Sequence, residues 1–352
     1  MPASQLGELA EQRVLGIQQI GAQLAPAFNR APINRTPINR TPTQNISMSI
    51  FHPEANALCD VWLANTPCAY EQIGDIHVSF NAQVLFGVIE VDEKNFADPA
   101  FTQPAVDSPL RAATDAAYQQ IFSLLKTKNY PHLWRAWNYI PDIHGAEAGL
   151  ERYRQFNIGR HHAFEAARCA TDASPAASAL GTRDGKFSIA FIAGHIAPTR
   201  IENPRQISAY AYPAQYGPRS PAFSRAITVA TAHHYLLFVS GTASIVGHET
   251  VHSGDVVAQT REAVANVSAL LEQAHIAATL PLSAPPLSAL TYRVYIRHRH
   301  HAALVQQALE ALIDVSAHAL YLQADICRED LLVEIEAFAV LPIDTQPTDT
   351  TQ

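Results

Sequence analysis

Charge is scarce in this chain. Asp, Glu, Lys and Arg make up 16% of its 352 residues, and acids outnumber bases to leave a net charge of −8. A nucleic-acid partner needs a basic face, so that class is excluded. No apolar run approaches the length that spans a bilayer, so no membrane partner is expected. The first residues carry no apolar h-region of a secretory signal. Cysteine is equally sparse. Cys59, Cys68, Cys169 and Cys327 form no CxxC pair and no zinc-finger spacing, so free thiols in a reducing, cytoplasmic compartment are expected. The histidines include His161-His162, His233-His234 and the group His298, His300 and His301. Adjacent rings point apart on a helix or strand, and no HExxH interval occurs, so no metal is expected. Glycine strings such as GTASIVG lack a phosphate-loop pattern, which removes nucleotide cofactors as well.

What remains is apolar, at 48% hydrophobic residues, enough for one large or two ordinary domains. Methionine occurs only at positions 1 and 48. The segment before Met48 repeats PINRT and lacks a core pattern, so residues 1–47 are expected to be a disordered tail or an upstream-start extension. Residues 49–73 read as irregular. Beyond them, 75–80 and 83–91 read as paired strands and Ser108-Pro109 opens a helix. Residues 132–141 read as an aromatic strand, about 145–169 as a long helix, and 188–196 and 206–213 as strands. The order then recurs: strands at 226–231 and 234–244, a helix at 256–276 capped by Asp255, a strand at 289–297, a helix at 302–315 and a strand at 331–341. This predicts an α+β fold of two similar lobes, 48–213 and 214–344, each a mixed sheet with helices on one face, and a short tail at 345–352.

The last strand is unusual. Its odd positions, Leu331 to Ala339, are all apolar, whereas the even positions include Glu334 and Glu336. Two carboxylates on one face mean either a solvated sheet surface or a buried acidic pair, and burial is costly unless a carboxyl is paired or protonated.

The second lobe resembles the reactive-intermediate deaminase superfamily, of chorismate-mutase-like fold, through Ser240-Gly241, Gly254-Asp255, Gln259, Asn266 and the final VEIEA at 333–337. The first lobe adds WRAWNYIPDIHG, GLERYRQFNIGRHHAF and the string YGPRSPAFSRA, and with these the chain resembles the two-lobed chorismatases over nearly all of residues 74–341. The resemblance implies chorismate as substrate and release of pyruvate from its enolpyruvyl ether without a cofactor. It implies Glu334 as proton donor, with Glu336 as its support. In hydroxybenzoate-forming chorismatases a cysteine stands before the glutamate, so Cys327 points to 3-hydroxybenzoate, with 4-hydroxybenzoate as a second product. Ala243 is ambiguous between subtypes. The hydrolytic subtype, an imine deaminase and a non-catalytic carboxylate-binding module stay open as alternatives. A dianionic substrate calls for cations, and arginine's planar fork suits carboxylates. Arg219, Arg297 and Arg160 are the candidates, with Tyr153, Tyr212 and Tyr216 beside them and Gly241, Thr242 and Ala243 at a strand end. A solvated or packing role is the alternative for Arg160 and Tyr153. Two lobes in one chain are compatible with a monomer or a trimer.

Overall fold

A computed structural model describes residues 13–21, 41–51, 57–97, 108–170, 173–277, 284–313 and 319–343. The chain opens with β1 (Val14–Gly21), β2 (Thr43–Ile46) and β3 (Ala57–Leu63), a three-stranded sheet in the order β2-β1-β3. The first lobe follows with β4 (Ala69–Ile73), β5 (Ile76–Phe80), β6 (Val84–Val91), α1 (Pro109–Lys128) and β7 (His132–Pro141). A hairpin of β8 (Ala146–Glu147) and β9 (Leu150–Glu151), α2 (Arg152–Ala166), β10 (Ala176–Thr182) and β11 (Phe187–Gly194) complete it. The second lobe has β12 (Thr199–Ile201), β13 (Ala226–Ala230), β14 (His234–Ala243), the hairpin β15 (Ile245–Val246) and β16 (Glu249–Thr250), and α3 (Val256–Ile276). It ends with β17 (Thr291–Ile296), α4 (Ala302–Ile313), β18 (Ala319–Gln323) and β19 (Val333–Pro342).

The sheet orders are β10-β7-β11-β6-β5-β4 and β18-β17-β19-β14-β13-β12, one topology used twice. In each, the first two strands listed are parallel and the remaining pairs antiparallel. The α+β reading with two similar lobes therefore holds. Helices cover the outer face of each sheet. Ile121, Leu125 and Phe164 meet Ile89, Ile189 and Phe191 in one lobe; Val267, Leu271 and Leu309 meet Val294, Ile335 and Ala337 in the other. The inner faces pack on each other through Trp134, Trp137, Ala190, Phe238, Tyr295 and Leu331.

Several expectations change. Residues 14–21 and 43–46 are not a tail. Val14, Leu15, Ile17, Ile20 and Ile46 are buried, and β1 passes so close to β6 that a Cβ at Gly16 would lie 2.3 Å from the Phe86 ring. The PINRT repeats and residues 345–352 lie outside the described residues. Residues 49–73 contain two strands instead of irregular chain, and β10 and β18 are strands the periodicity did not suggest. Conversely, 206–213 is no strand but a loop with a 3₁₀ turn at Ala209–Ala211, and the long helix is shorter than 145–169 because its first residues form the β8–β9 hairpin. Sheet membership moves to the second lobe at β12, ahead of residue 214. No described helix is long and apolar enough to cross a membrane.

Candidate active site

Period-two alternation sends Val333, Ile335, Ala337 and Ala339 of β19 outward to α3 and α4, which leaves Glu334 and Glu336 on the inner face between the sheets. Both are buried, at 4% and 5% exposure. The solvated-face alternative is thereby removed, and the two carboxylates differ sharply in their surroundings.

Glu336 is saturated with donors. Arg135 Nη2 pairs with Oε2, which also accepts from Ser178 Oγ at 2.8 Å. Oε1 accepts from Tyr295 OH at 3.0 Å, Trp137 Nε1 at 3.2 Å and Arg293 Nη1 at 3.3 Å. Two guanidinium groups and three neutral donors thus occupy both of its oxygens. Glu334 faces a cavity of about 770 Å³. Burial, followed by the like charge of Glu336, pushes its carboxyl up to about 8, with Arg135 opposing. The protonated form of Glu334 is therefore favoured at neutral pH, beside a Glu336 whose two oxygens are fully occupied by donors.

The cavity lies between the lobes. From α2 it receives Tyr153, Phe156, Asn157 and Arg160, whose i, i+3, i+4, i+7 spacing puts them on one helical face. β7 and β10 add Asn138 and Ser178; β14 adds Gly241 and Ala243; the loop before β19 adds Cys327 and Arg328. Tyr212, Tyr216 and Arg225 close one side from the loop between β12 and β13 of the second lobe. Cys327 is a neutral thiol: burial foremost, then the nearby Glu334, pushes it up to about 12. The Tyr153 hydroxyl is raised well above its ordinary value, again by burial first and then by Cys327.

The cations are incompletely satisfied. Arg160 Nη1 bonds the Ala222 carbonyl, but its buried Nε and Nη2 carry no hydrogen bond. Those two nitrogens form the side-on edge that grips a carboxylate by two parallel bonds. Arg328 stacks 3.9 Å from the Tyr216 ring centroid and bonds His248 O at 2.9 Å, while its Nη2 is buried without a partner. Arg225 Nη2 bonds Tyr212 OH at 2.8 Å and Ile207 O at 2.7 Å, and its Nε is unpartnered.

The chain matches the family model "Chorismatase FkbO/Hyg5-like, N-terminal" over residues 60–193 and the model "Endoribonuclease L-PSP" over residues 218–341. It is 33% identical over 330 residues to a 3-hydroxybenzoate synthase of Streptomyces hygroscopicus, covering 91% of this chain and 92% of that one. The chain belongs to the chorismatase family. A chorismatase of Streptomyces rapamycinicus is 35% identical over 288 residues, covering 80% of this chain and 82% of the relative. A chorismatase crystal structure superposes with a TM-score of 0.82 at 29% identity, covering 96% of both chains.

In this chorismatase the superfamily motif residues of the second lobe turn out to be scaffolding around the acid. Ser240 Oγ bonds Ser224 O at 2.5 Å and accepts from Ala177 N at 2.9 Å, stitching β14 to β10 of the other lobe. Gln259 donates to Asp330 O at 2.9 Å and accepts from Leu332 N at 2.7 Å, fixing the entry to β19. Asn266 Nδ2 holds Ala243 O at 3.1 Å and Ile245 O at 3.0 Å. A register shift between Val239 and Thr242 bulges β14 at Ser240-Gly241. Gly241 is there because a Cβ would lie 2.0 Å from Glu334 Oε1. Gly241→Ala is accordingly expected to lower kcat about tenfold or more by displacing the carboxyl while barely moving Tm, since the misplacement is local; steady-state kinetics with a thermal melt checks this.

Of the residues expected at the site, Glu334, Cys327, Tyr153, Arg160, Tyr212, Tyr216, Gly241 and Ala243 line the cavity. Three do not. Arg219 is exposed in the YGPRSP loop, which Ser220 Oγ ties to Tyr212 O at 2.9 Å. Arg297 is spent on protein, bonding Leu331 O at 2.8 Å, Arg328 O at 2.6 Å and Ile326 O at 3.2 Å, so it braces the loop that carries Cys327. Thr242 alternates away and bonds Ser240 O at 2.8 Å. Arg225 and Arg328 were missed, although both lie within the stretches that carried the resemblance or flanked Cys327. Among the described residues no cluster of three His, Cys, Asp or Glu side chains could hold a metal ion.

Proposed function

We propose that the protein converts chorismate to 3-hydroxybenzoate and pyruvate, with Glu334 as general acid. The observation that carries this reading is the contrast within the β19 pair: one carboxyl facing the cavity with its proton favoured by burial, its neighbour behind it held by two arginines and three neutral donors. Arg160 and Arg328, with Arg225, hold the two substrate carboxylates, and Tyr153 and Asn157 hydrogen-bond around them. Glu334 donates its proton to the terminal methylene of the enol ether, and the ether carbon becomes an oxocarbenium centre. The ring C–O bond then breaks as the ring's C4 hydroxyl attacks the carbon it leaves. Pyruvate departs with the ether oxygen, and the resulting epoxide opens and loses its ring proton to give the 3-hydroxy acid. Glu334, now a carboxylate, is placed to recover a proton. Substrate and products are isomeric in sum, so no water is consumed, which suits a wall formed by a neutral Cys327 thiol. Sparse cysteine, with Cys68, Cys169 and Cys327 as free thiols, suits a reducing, cytoplasmic setting.

Incubation with chorismate and chromatographic separation tests this. Equal amounts of 3-hydroxybenzoate and pyruvate are expected, with 4-hydroxybenzoate as a minor product. A dihydroxycyclohexadiene carboxylate as main product would overturn the subtype, and no pyruvate at all would overturn the enzymatic reading. Cys327→Ala opens room for water beside the oxocarbenium carbon. Its expected result is continued pyruvate release with the dihydroxycyclohexadiene acid as a major product, and ¹⁸O from solvent entering the newly formed pyruvate. A product ratio unchanged from the parent would remove Cys327 from product choice.

A further inference from the structure

Behind Glu336, on the side away from the cavity, a chain of polar side chains runs to the N-terminal sheet. Arg293 on β17 gives Nη1 to Glu336 Oε1 at 3.3 Å, Nε to Asp60 Oδ2 at 2.6 Å and Nη2 to Gln18 Oε1 at 2.6 Å. Gln18 donates to Gln44 Oε1 at 2.8 Å, and Gln44 donates to Ser188 Oγ at 3.0 Å. Arg293, Gln18 and Gln44 are buried, whereas Asp60, on β3, is about one-third exposed at the mouth of a second cavity of about 430 Å³. None of Asp60, Gln18 or Gln44 belongs to the repeated lobes, and none touches the first cavity.

We propose that Asp60 and Arg293 are a positioning pair that governs how much of Glu336's charge is felt by Glu334, and so when the acid holds its proton. This rests on Glu334 being the acid of the proposed reaction. Arg293 is shared between two carboxylates. The charged and titratable groups that meet the β19 pair are Arg135 from β7, Arg293 and Tyr295 from β17, with Tyr139 behind Tyr295, and Cys327 and Tyr153 on the cavity side. Of the two arginines on Glu336, Arg135 has its other carboxylate contacts confined to that group, while Arg293 also serves Asp60. Asp60 draws Arg293 away from Glu336, leaving more uncompensated negative charge beside Glu334.

The sign is testable from both ends. Asp60→Asn returns Arg293 to Glu336 and removes an anion, so Glu334 should lose its proton at lower pH. Arg293→Gln strips a cation from Glu336, so Glu334 should keep its proton to higher pH. A displacement of about half a pH unit each way is expected for one charge acting across ~10–15 Å with partial screening. The Glu334 titration is followed by ¹³C NMR of glutamate-labelled protein, using the carboxyl resonance absent from Glu334→Gln, alongside the pH profile of pyruvate release. Arg293→Lys should bring the midpoint back towards the parent value. Should Arg293→Gln fail to fold, Asp60→Asn alone decides. An unmoved midpoint in Asp60→Asn, or movement in the same direction in both variants, overturns the proposal. Absence of pyruvate release from the parent protein would refute the reaction, yet the NMR midpoints would still decide the pairing.

Discussion

Replacing Glu334 by Gln is expected to lower kcat by about 10³-fold, within the range a positioned general acid contributes, while chorismate binding stays within a few-fold of the parent. Gln keeps the shape beside Gly241 but has no proton to give, and the cations that hold the substrate are elsewhere in the cavity. Pyruvate release and equilibrium titration with chorismate separate the two effects. A near-normal rate in the variant would move the acid role to another residue. The parent enzyme should lose activity as pH rises through about 8, because the donor must be protonated. The same group predicts a stability signature. Its folded value lies above the ordinary carboxyl value of 4.5, so the folded state binds more protons than the unfolded chain between 4.5 and about 8. Stability contributed by that proton is full below 4.5 and declines as pH rises through this window. Glu334→Gln removes the dependence, so its Tm relative to the parent should rise from pH 5 to about pH 8 and level off above it.

Deletion of residues 1–47 should abolish folding. Val14, Leu15, Ile17, Ile20 and Ile46 are buried, and at about 1.5–3 kcal/mol each their removal amounts to about 10 kcal/mol, as large as the whole stability of a typical domain. Tyr70 OH would lose Val14 O, bonded at 2.8 Å, and the buried Arg293 would lose Gln18. Circular-dichroism melting of the truncated chain is expected to show no cooperative transition at the parent's Tm, with most protein insoluble. A soluble truncation with unchanged Tm and activity would mean that this sheet is dispensable.

Both lobes were legible because they rest on periodicity: apolar alternation in β19 and helical spacing in α3 need no tertiary knowledge. Alternation alone left the Glu334–Glu336 face open between solvated and buried, and only the resemblance pointed to Glu334 as an acid. β10 was hidden because AASALGT offers small residues of weak strand preference, and only its parallel pairing with β7 makes it a strand. β1 was hidden by the polar segment that follows it and by its own Gln18 and Gln19. Arginine choice failed for a related reason. Sequence shows which residues carry a guanidinium but not which carbonyls will occupy it, and Arg297 is consumed by its own neighbours whereas Arg160 keeps an edge open.

The twice-used topology has a further meaning. Where β19 presents Glu334 and Glu336 inward, the equivalent strand β11 presents Ser188 and Ala190, one bonded to Gln44 and the other packed in the inter-sheet core. Two identical subunits facing each other across a cleft would be obliged to place acid opposite acid. Joined in one chain, the halves are free to diverge, and this cleft is handed: one wall carries Arg160, Asn157 and Tyr153, the other Glu334. Chorismate is itself lopsided, with its ring carboxylate at one end and the enol ether on one side. Only a cleft without twofold symmetry can offer such a molecule a single productive orientation.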